Sequence, residues 1–136
     1  MKRREIVIDG SRFDNLDGFF DEIERVLTEN LTWRIGRNMD AFNDLLRGGF
    51  GIHEYGEPIT IKWLYFTKSK YDFSYPATVE YYKKILRRCH PSNIPKLHEK
   101  LDYAEKQMGD TLMDIIIEII LDTDNSGHDC TLLTVD

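Results

Sequence analysis

The sequence has little of what secreted, membrane-bound or covalently cross-linked proteins need. Its 136 residues include two cysteines, Cys89 and Cys130, too few for a disulfide framework and typical of a reducing compartment. The most apolar run, residues 115–121, is interrupted by Glu118 and is far too short to span a bilayer. Because Glu5 and Asp9 interrupt the apolar residues after the basic start, we expect no signal peptide and a soluble cytoplasmic protein.

The sequence also has fewer positive than negative charges, with 18 Lys and Arg against 24 Asp and Glu and a net charge of −6. This balance disfavours non-specific nucleic-acid binding and favours a basic partner, although solubility alone would explain it. A chain of this length corresponds to one ordinary domain, so we treat residues 1–136 as a single domain.

The common catalytic motifs are absent from the sequence. The predicted exposed face with Asp40 and Asp44 has no Ser or Cys nucleophile beside a His, no Gly-rich phosphate loop and no usual metal-ligand spacing. One zinc set to consider comprises Cys89, His90, His98, His128 and Cys130. Their spacing fits no familiar zinc site, and surface histidines with buried cysteines are the simpler interpretation. We therefore expect no metal and no cofactor.

Hydrophobic periodicity predicts alternating strands and helices. We expect strands at 5–10, 59–66 and 130–135 and helices at 16–29, 39–47, 78–89, 94–108 and 112–123. Helical crossovers between strands favour parallel pairing, which predicts an α/β domain with a small three-stranded parallel sheet. Trp63, in the central strand, is expected in the core, whereas Glu22 is expected on the water-facing side of the first helix.

The stretch 33–50 is the most informative for function. Asn38 is a good N-cap for a helix that runs to about Arg47, where two glycines stop it. One side of this helix is apolar and consists of Ala41, Phe42, Leu45 and Leu46. The other side is polar and consists of Asp40, Asn43, Asp44 and Arg47. The spacing alone favours an acidic helix face that simply contacts water.

A family resemblance gives this stretch a functional interpretation. The spacing of Gly36, Asn38, Asp40, Ala41, Asp44 and Leu46 resembles the binding loop and second helix of the barstar family, the intracellular inhibitors of the ribonuclease barnase. The pattern Ile59-x-Ile61-x-Trp63-x-x-Phe66, followed by Ser69-Lys70, resembles the family's second strand and the short turn after it. The ending Gly127-x-Asp129-x-Thr131 is similar to that of the family as well. Residues 71–108 would then be an inserted helical segment.

The resemblance implies an intracellular ribonuclease inhibitor. Asp40 and Asp44 would enter the basic active-site cleft of the enzyme, and Asp122 would add a charge at the rim. The implied partner-binding residues are Gly36, Asn38, Asp40, Asn43, Asp44 and Asp122, together with Arg34. Arg34 and Asn43 depart from the family pattern, which argues against barnase itself as the target. The implied partner is a basic ribonuclease or toxin protein bound as a heterodimer, with no role for nucleic acid or membrane.

Two other classes of function remain open from the sequence. Paired carboxylates can act as general acid and base or hold a metal, which keeps an enzyme under consideration, although we expect none here. The chain is alternatively an immunity protein or interaction module that neutralises a basic toxin or partner other than a ribonuclease. The last predicted helix has an acidic stripe that is either its solvent-exposed face or a second contact with the partner. It consists of Asp110, Asp114, Glu118 and Asp122.

Overall fold

The sheet of this protein is parallel throughout. A computed structural model describes residues 4–28, 38–48, 52–122 and 128–136. In these residues three strands, β1 (Arg4–Asp9), β2 (Ile59–Leu64) and β3 (Cys130–Val135), form one sheet in the order β1-β2-β3. In the register, Ile61 lies between Ile6 and Leu132. The predicted α/β class with a three-stranded parallel sheet is confirmed.

Helices provide the connections that parallel strands require, because such strands cannot be joined by a tight hairpin. The described helices are α1 (Leu16–Leu27), α2 (Met39–Arg47), α3 (Phe66–Asp72), α4 (Tyr75–Leu86), α5 (Ile94–Glu105) and α6 (Leu112–Leu121). Short 3₁₀ turns precede α1 and α5. None of the described helices is both long and apolar enough to cross a membrane.

The central strand is shorter than predicted. It ends at Leu64, Tyr65 takes a left-handed conformation with φ 56°, and α3 begins at Phe66. Ser69 and Lys70, expected in a short turn, therefore lie inside a helix. The reason is tertiary, because buried Ser69 accepts a 3.0 Å hydrogen bond from the indole N–H of Trp63. The Lys68 ammonium also donates to the carbonyl of Phe13 at 2.7 Å, which ties α3 to the segment after β1.

The main core is built on aromatic side chains over one face of the sheet. Trp63 is fully buried, as predicted, and stacks on Phe19 with 5.6 Å between ring centroids. Phe13 and Phe73 stack beside them at 6.0 Å. Buried aromatic pairs of this kind add to the stabilisation that apolar burial already provides.

A second, smaller core joins α4 to α5. It consists of Tyr82, Leu101 and Ala104 with half-buried neighbours. The segment therefore contains two packed helices, as the sequence predicted, although α4 begins at Tyr75 and α5 ends at Glu105. The pair is attached to the rest of the fold through Thr78, whose buried hydroxyl accepts a 2.6 Å hydrogen bond from the N–H of Leu112.

Glu22 of α1 is buried, contrary to the expectation that it faces water. Its carboxylate accepts a hydrogen bond from the Asp9 N–H at 2.8 Å and two from Arg25, both at 2.8 Å. Arg12 lies 3.1 Å from the same carboxylate. Burial raises the pKa of Glu22, but the Arg25 and Asp9 hydrogen bonds and the charges of Arg25 and Arg12 outweigh it and hold the pKa below 4.5. Arg25 lies three residues further along the same helix, but Asp9 and Arg12 come from other segments, so the helical pattern alone could not show this burial.

We expect the contribution of Glu22 to depend on pH. Because its folded-state pKa is lowered, its contribution to the free energy of unfolding is complete above about pH 4.5 and is lost as pH falls through the folded-state pKa. Glu22→Gln should lower the free energy of unfolding by about 1–3 kcal/mol at neutral pH, and the difference should shrink in acid. Urea denaturation across this pH range measures it, with exposed Glu118→Gln as the control. A difference that stays constant with pH would contradict the assignment.

Candidate functional site

Helix α2 begins at the residue that the sequence predicted. The Oδ1 atom of Asn38 accepts a 2.8 Å hydrogen bond from the N–H of Ala41, which satisfies one of the open donors of the first turn. Phe42, Leu45 and Leu46 are buried, so the apolar side of the helix is fixed against the core. Phe42 meets Phe19 of α1 edge-on with 5.4 Å between ring centroids.

The end of α2 is fixed as well. Gly48 has φ 82°, a conformation that side-chain-bearing residues rarely adopt, and a Cβ there would collide with the Glu54 carbonyl. His53 is buried and its Nε2 lies 3.0 Å from the carbonyl oxygen of Leu46. Since a carbonyl only accepts, Nε2 carries the hydrogen and donates it. Helix α2 is therefore held at both ends and along one side.

The polar side of α2 presents two carboxylates one turn apart. Asp40 and Asp44 are both exposed. Asp44 accepts from Arg47 at 3.1 Å, and this exposed pair offsets the like-charge repulsion that the sequence alone predicted. Asn43 departs from the predicted face: it is half-buried, and its Oδ1 is enclosed without a hydrogen-bond partner among the described residues. The structure thus brings Asp40, Asn43 and Asp44 together, with Asn43 at the border of the core.

The remaining predicted site residues lie elsewhere. Gly36 and Arg34 fall outside the described residues. Asp122 is half-buried and directly follows α6. It lies at the opposite end of that helix from Leu112, about 15 Å away along the helix axis. The acidic stripe on α6 is not uniform, because the Asp114 side chain accepts from the Thr111 N–H at 2.9 Å and closes a capping box. Asp114 therefore has a structural role at the start of the helix.

A groove of about 690 Å³ opens beside Asp40, between the starts of α1 and α2 and the second half of α4 with the turn that follows it. Its polar lining includes Asp17, Asn38, Asp40, Tyr81, Lys84 and Arg88. Burial, then the neighbouring Tyr82 and the charge of Asp40, raise the pKa of Tyr81 to about 12, so its hydroxyl stays protonated at neutral pH. Sequence reasoning missed Tyr81, Lys84 and Arg88, because only the tertiary fold brings α4 to the start of α2.

The residues considered for zinc do not converge. Among the described residues, no group of three His, Cys, Asp or Glu side chains is placed to hold a metal. His128, expected at the surface, is buried, and its Nε2 lies 2.9 Å from the carbonyl of Ile119. It therefore satisfies the end of α6, as His53 does for α2. Cys130 is buried in the sheet as expected, and Cys89 is half-buried.

The family model described as Barstar (barnase inhibitor) matches residues 3–93, about two thirds of the chain. The chain belongs to the barstar family. The match includes all of α2, and its description as an inhibitor agrees with the expectation of a protein that is not an enzyme. Compared with curated protein sequences, the chain shows no significant match.

The barstar-family match also bears on the segment at 71–108. Residues 71–93, which the sequence assigned to an insertion, lie within the match, whereas α5 lies beyond it. Helix α6 and strand β3 also lie beyond the matched residues, and the similarity of their sequences to the family ending stays a prediction. At family level the chain is a barnase-inhibitor-like protein.

We expect the start of α2 to depend on the Asn38 side chain. Asn38→Ala should lower the free energy of unfolding by about 1 kcal/mol and speed hydrogen exchange at the Ala41 amide, because that N–H loses its acceptor. Asn38→Ser should restore most of both, since its hydroxyl also caps helices. Urea denaturation and hydrogen exchange measure these effects. Equal losses in the two variants would argue against a capping role.

Proposed function

We propose that this protein inhibits a ribonuclease by placing the acidic side of α2 in the basic active-site cleft of the enzyme. The observation that carries the proposal is the geometry of α2 inside the family match. Two exposed carboxylates, Asp40 and Asp44, stand on a helix whose ends and apolar side are fixed by the fold. Little conformational freedom of the helix backbone would be lost on binding, which favours affinity.

The mechanism is occlusion of a site that normally holds RNA phosphates. Cationic side chains that bind phosphate would pair with the two carboxylates of α2, and the carboxylates would exclude the substrate. Asp44 is already paired with Arg47, but an exposed pair of this kind contributes little stability and can be exchanged at small cost. Opposed charges on the two proteins would speed association, and buried charge pairs would slow dissociation.

The rest of the proposed interface follows the sequence prediction. It includes the N-cap Asn38, the half-buried Asn43, the rim residue Asp122, and Gly36 and Arg34 of the loop before α2. The complex would be a heterodimer formed in the cytoplasm, without a cofactor and without nucleic acid or membrane. The proposal treats residues 1–136 as a single domain in which the helices of 71–108 are an added segment.

A two-step experiment tests the function. The chain is immobilised, exposed to barnase and, separately, to lysate and secreted protein from the source cells, with Asp40→Ala/Asp44→Ala as the control bait. Retained proteins are then assayed for ribonuclease activity free and bound. A basic ribonuclease that is held by the wild type, lost by the control and silenced on binding would support the proposal. A retained basic protein without ribonuclease activity would favour the immunity or interaction class instead.

The two acids at corresponding exposed positions of α1 and α2 should differ sharply. Asp44→Ala should weaken binding of the retained ribonuclease by at least about tenfold, because a carboxylate that meets a cationic cleft is lost. Asp21→Ala removes one negative charge from the exposed side of α1 and is the matched control. Dissociation constants measured by calorimetry test the difference. Equal effects of the two substitutions would contradict the site assignment.

Association should depend steeply on salt. Because charge attraction acts over about 8 Å at physiological ionic strength, raising the salt concentration should slow association by at least about tenfold while changing dissociation less. Stopped-flow mixing at increasing sodium chloride measures both rates. Asp40→Asn/Asp44→Asn should flatten the dependence. An association rate that does not change with salt would remove the steering mechanism.

A further inference from the structure

The groove beside Asp40 has walls of opposite charge. Asp40 and Asp17 lie on the side formed by α2 and α1, and Lys84 and Arg88 lie on the side formed by α4 and the turn after it. Lys84 lies in the last turn of α4, and Arg88 lies in the turn that follows α4, where its N–H donates to the carbonyl of Ile85 at 3.0 Å. Both are exposed, so they meet any molecule that occupies the groove.

Lys84 and Arg88 have no ion-pair partner among the described residues, unlike three other cations on the exposed helix surfaces. Arg47 pairs with Asp44, Lys68 pairs with Asp72 at 2.6 Å, and Lys83 lies 3.9 Å from Glu80. A neighbouring groove of about 320 Å³ is lined by Lys84 and by acids such as Asp14. None of these described acids forms an ion pair with Lys84. The two positive charges at the main groove thus remain available.

The position of these cations relative to α2 is set by packing. Tyr81, three residues before Lys84, packs on the main core and lines the same groove as Asp40. The Thr78 hydroxyl holds α4 to the start of α6 through its 2.6 Å hydrogen bond. The cationic wall is therefore part of the surface that a protein bound at Asp40 would cover.

We propose that this groove receives an acidic side chain of the bound ribonuclease, next to the basic cleft that Asp40 and Asp44 enter, and that Lys84 and Arg88 are specificity-determining residues. The inference rests on the proposed function. A partner that is uniformly basic would be repelled by Lys84 and Arg88 at close range, whereas a carboxylate beside its cationic cleft would match both walls. An RNA phosphate is the less favoured occupant, because Asp40 and Asp17 line the same groove.

The first test measures the charge preference of the groove with two small thiol reagents. Cys89 lines the groove and Cys130 is buried in the sheet. The probes are Ellman's reagent, which carries carboxylates, and the neutral reagent 2,2′-dipyridyl disulfide, with Cys89→Ser defining the background. Because the same Cys89 thiolate attacks the disulfide of each reagent and releases its thiolate half, the ratio of the Ellman's rate to the dipyridyl disulfide rate reports the groove charge and not the reactivity of the thiol.

We expect Lys84→Glu/Arg88→Glu to lower the ratio of the Ellman's rate to the dipyridyl disulfide rate by at least about threefold, because the anionic reagent is then repelled. Lys96→Glu/Lys100→Glu makes the same change of charge at the same spacing on exposed positions of α5, away from the groove lining, and should alter the ratio less. Lys84→Gln/Arg88→Gln, which adds no repulsive charge, should lie between. An unchanged ratio, or equal effects of the two charge-reversed pairs, would overturn the proposal.

The second test uses the ribonuclease retained by the immobilised chain. Lys84→Glu/Arg88→Glu should weaken its binding by at least about tenfold relative to Lys96→Glu/Lys100→Glu, mainly through faster dissociation. Carbodiimide treatment of the wild-type complex should link the Lys84 amine to an Asp or Glu of the ribonuclease, identified by mass spectrometry. If the reversed pair binds the ribonuclease as tightly as Lys96→Glu/Lys100→Glu does, and the wild-type complex gives no cross-link at Lys84, the inference is overturned and the proposed function stays intact.

Two further outcomes separate the inference from the function. If Asp40→Ala/Asp44→Ala retains the ribonuclease as well as the wild type does, the proposed function fails, and the inference fails with it. If a labelled single-stranded RNA binds the chain at physiological salt and is released by Lys84→Glu/Arg88→Glu but not by the α5 pair, the groove takes phosphate and not a protein carboxylate, which overturns the inference alone.

Discussion

The packing of α2 onto the core is the constraint on which the candidate site depends. Phe42 lies against Phe19 with 5.4 Å between ring centroids, and Leu45 and Leu46 are buried beside it. Apolar burial of this kind has no preferred direction, so it fixes the side of the helix but not its ends. The ends are fixed by directional contacts, the Asn38 cap and the hydrogen bond from His53. Together these contacts fix the backbone of α2, so that only the side-chain rotamers of Asp40 and Asp44 are left free to change.

On this surface the local positions of the charges matter more than the net charge of the protein. The net charge of −6 describes an acidic protein, yet the groove beside Asp40 has cationic side chains on its α4 wall. At physiological salt, charges interact over about 8 Å, so a partner at close range responds to the local arrangement and only weakly to the sum. In the proposed complex, the overall sign would favour a basic partner, and the groove would discriminate among such partners.

Much of the fold follows from local signals. The strand at 130–135, the Asn38 cap and the apolar side of α2 were each readable from residue type and spacing, because the forces involved act between neighbours in the chain. Three features were not readable. Glu22 is buried because donors from β1 and its neighbouring turn reach it, and α3 replaces the end of a strand because Ser69 bonds to Trp63. The wall of the groove comes from a helix to which the sequence assigned no site.

The candidate site, like the fold, could be predicted from the sequence only in part. The acids of α2 were found through helical spacing and a family resemblance, both of which are properties of one continuous segment. Asn43 was misplaced because helical spacing alone does not tell which border residue the core encloses. Lys84 and Arg88 lie far along the chain from Asp40, and nothing in their spacing marks them as different from other exposed cations.

The parallel pairing of β2 with β3 has a consequence for how the molecule forms. These strands are neighbours in the sheet, but four of the described helices separate them in the chain. Closing so long a loop costs entropy before the strand contacts repay it, which makes this pairing slow compared with local contacts. The α4–α5 pair has its own small core of sequence-local contacts, so it can collapse first and shorten the effective distance between the strands. This helix pair thereby acts on the folding rate of the sheet as well as on the shape of the protein surface.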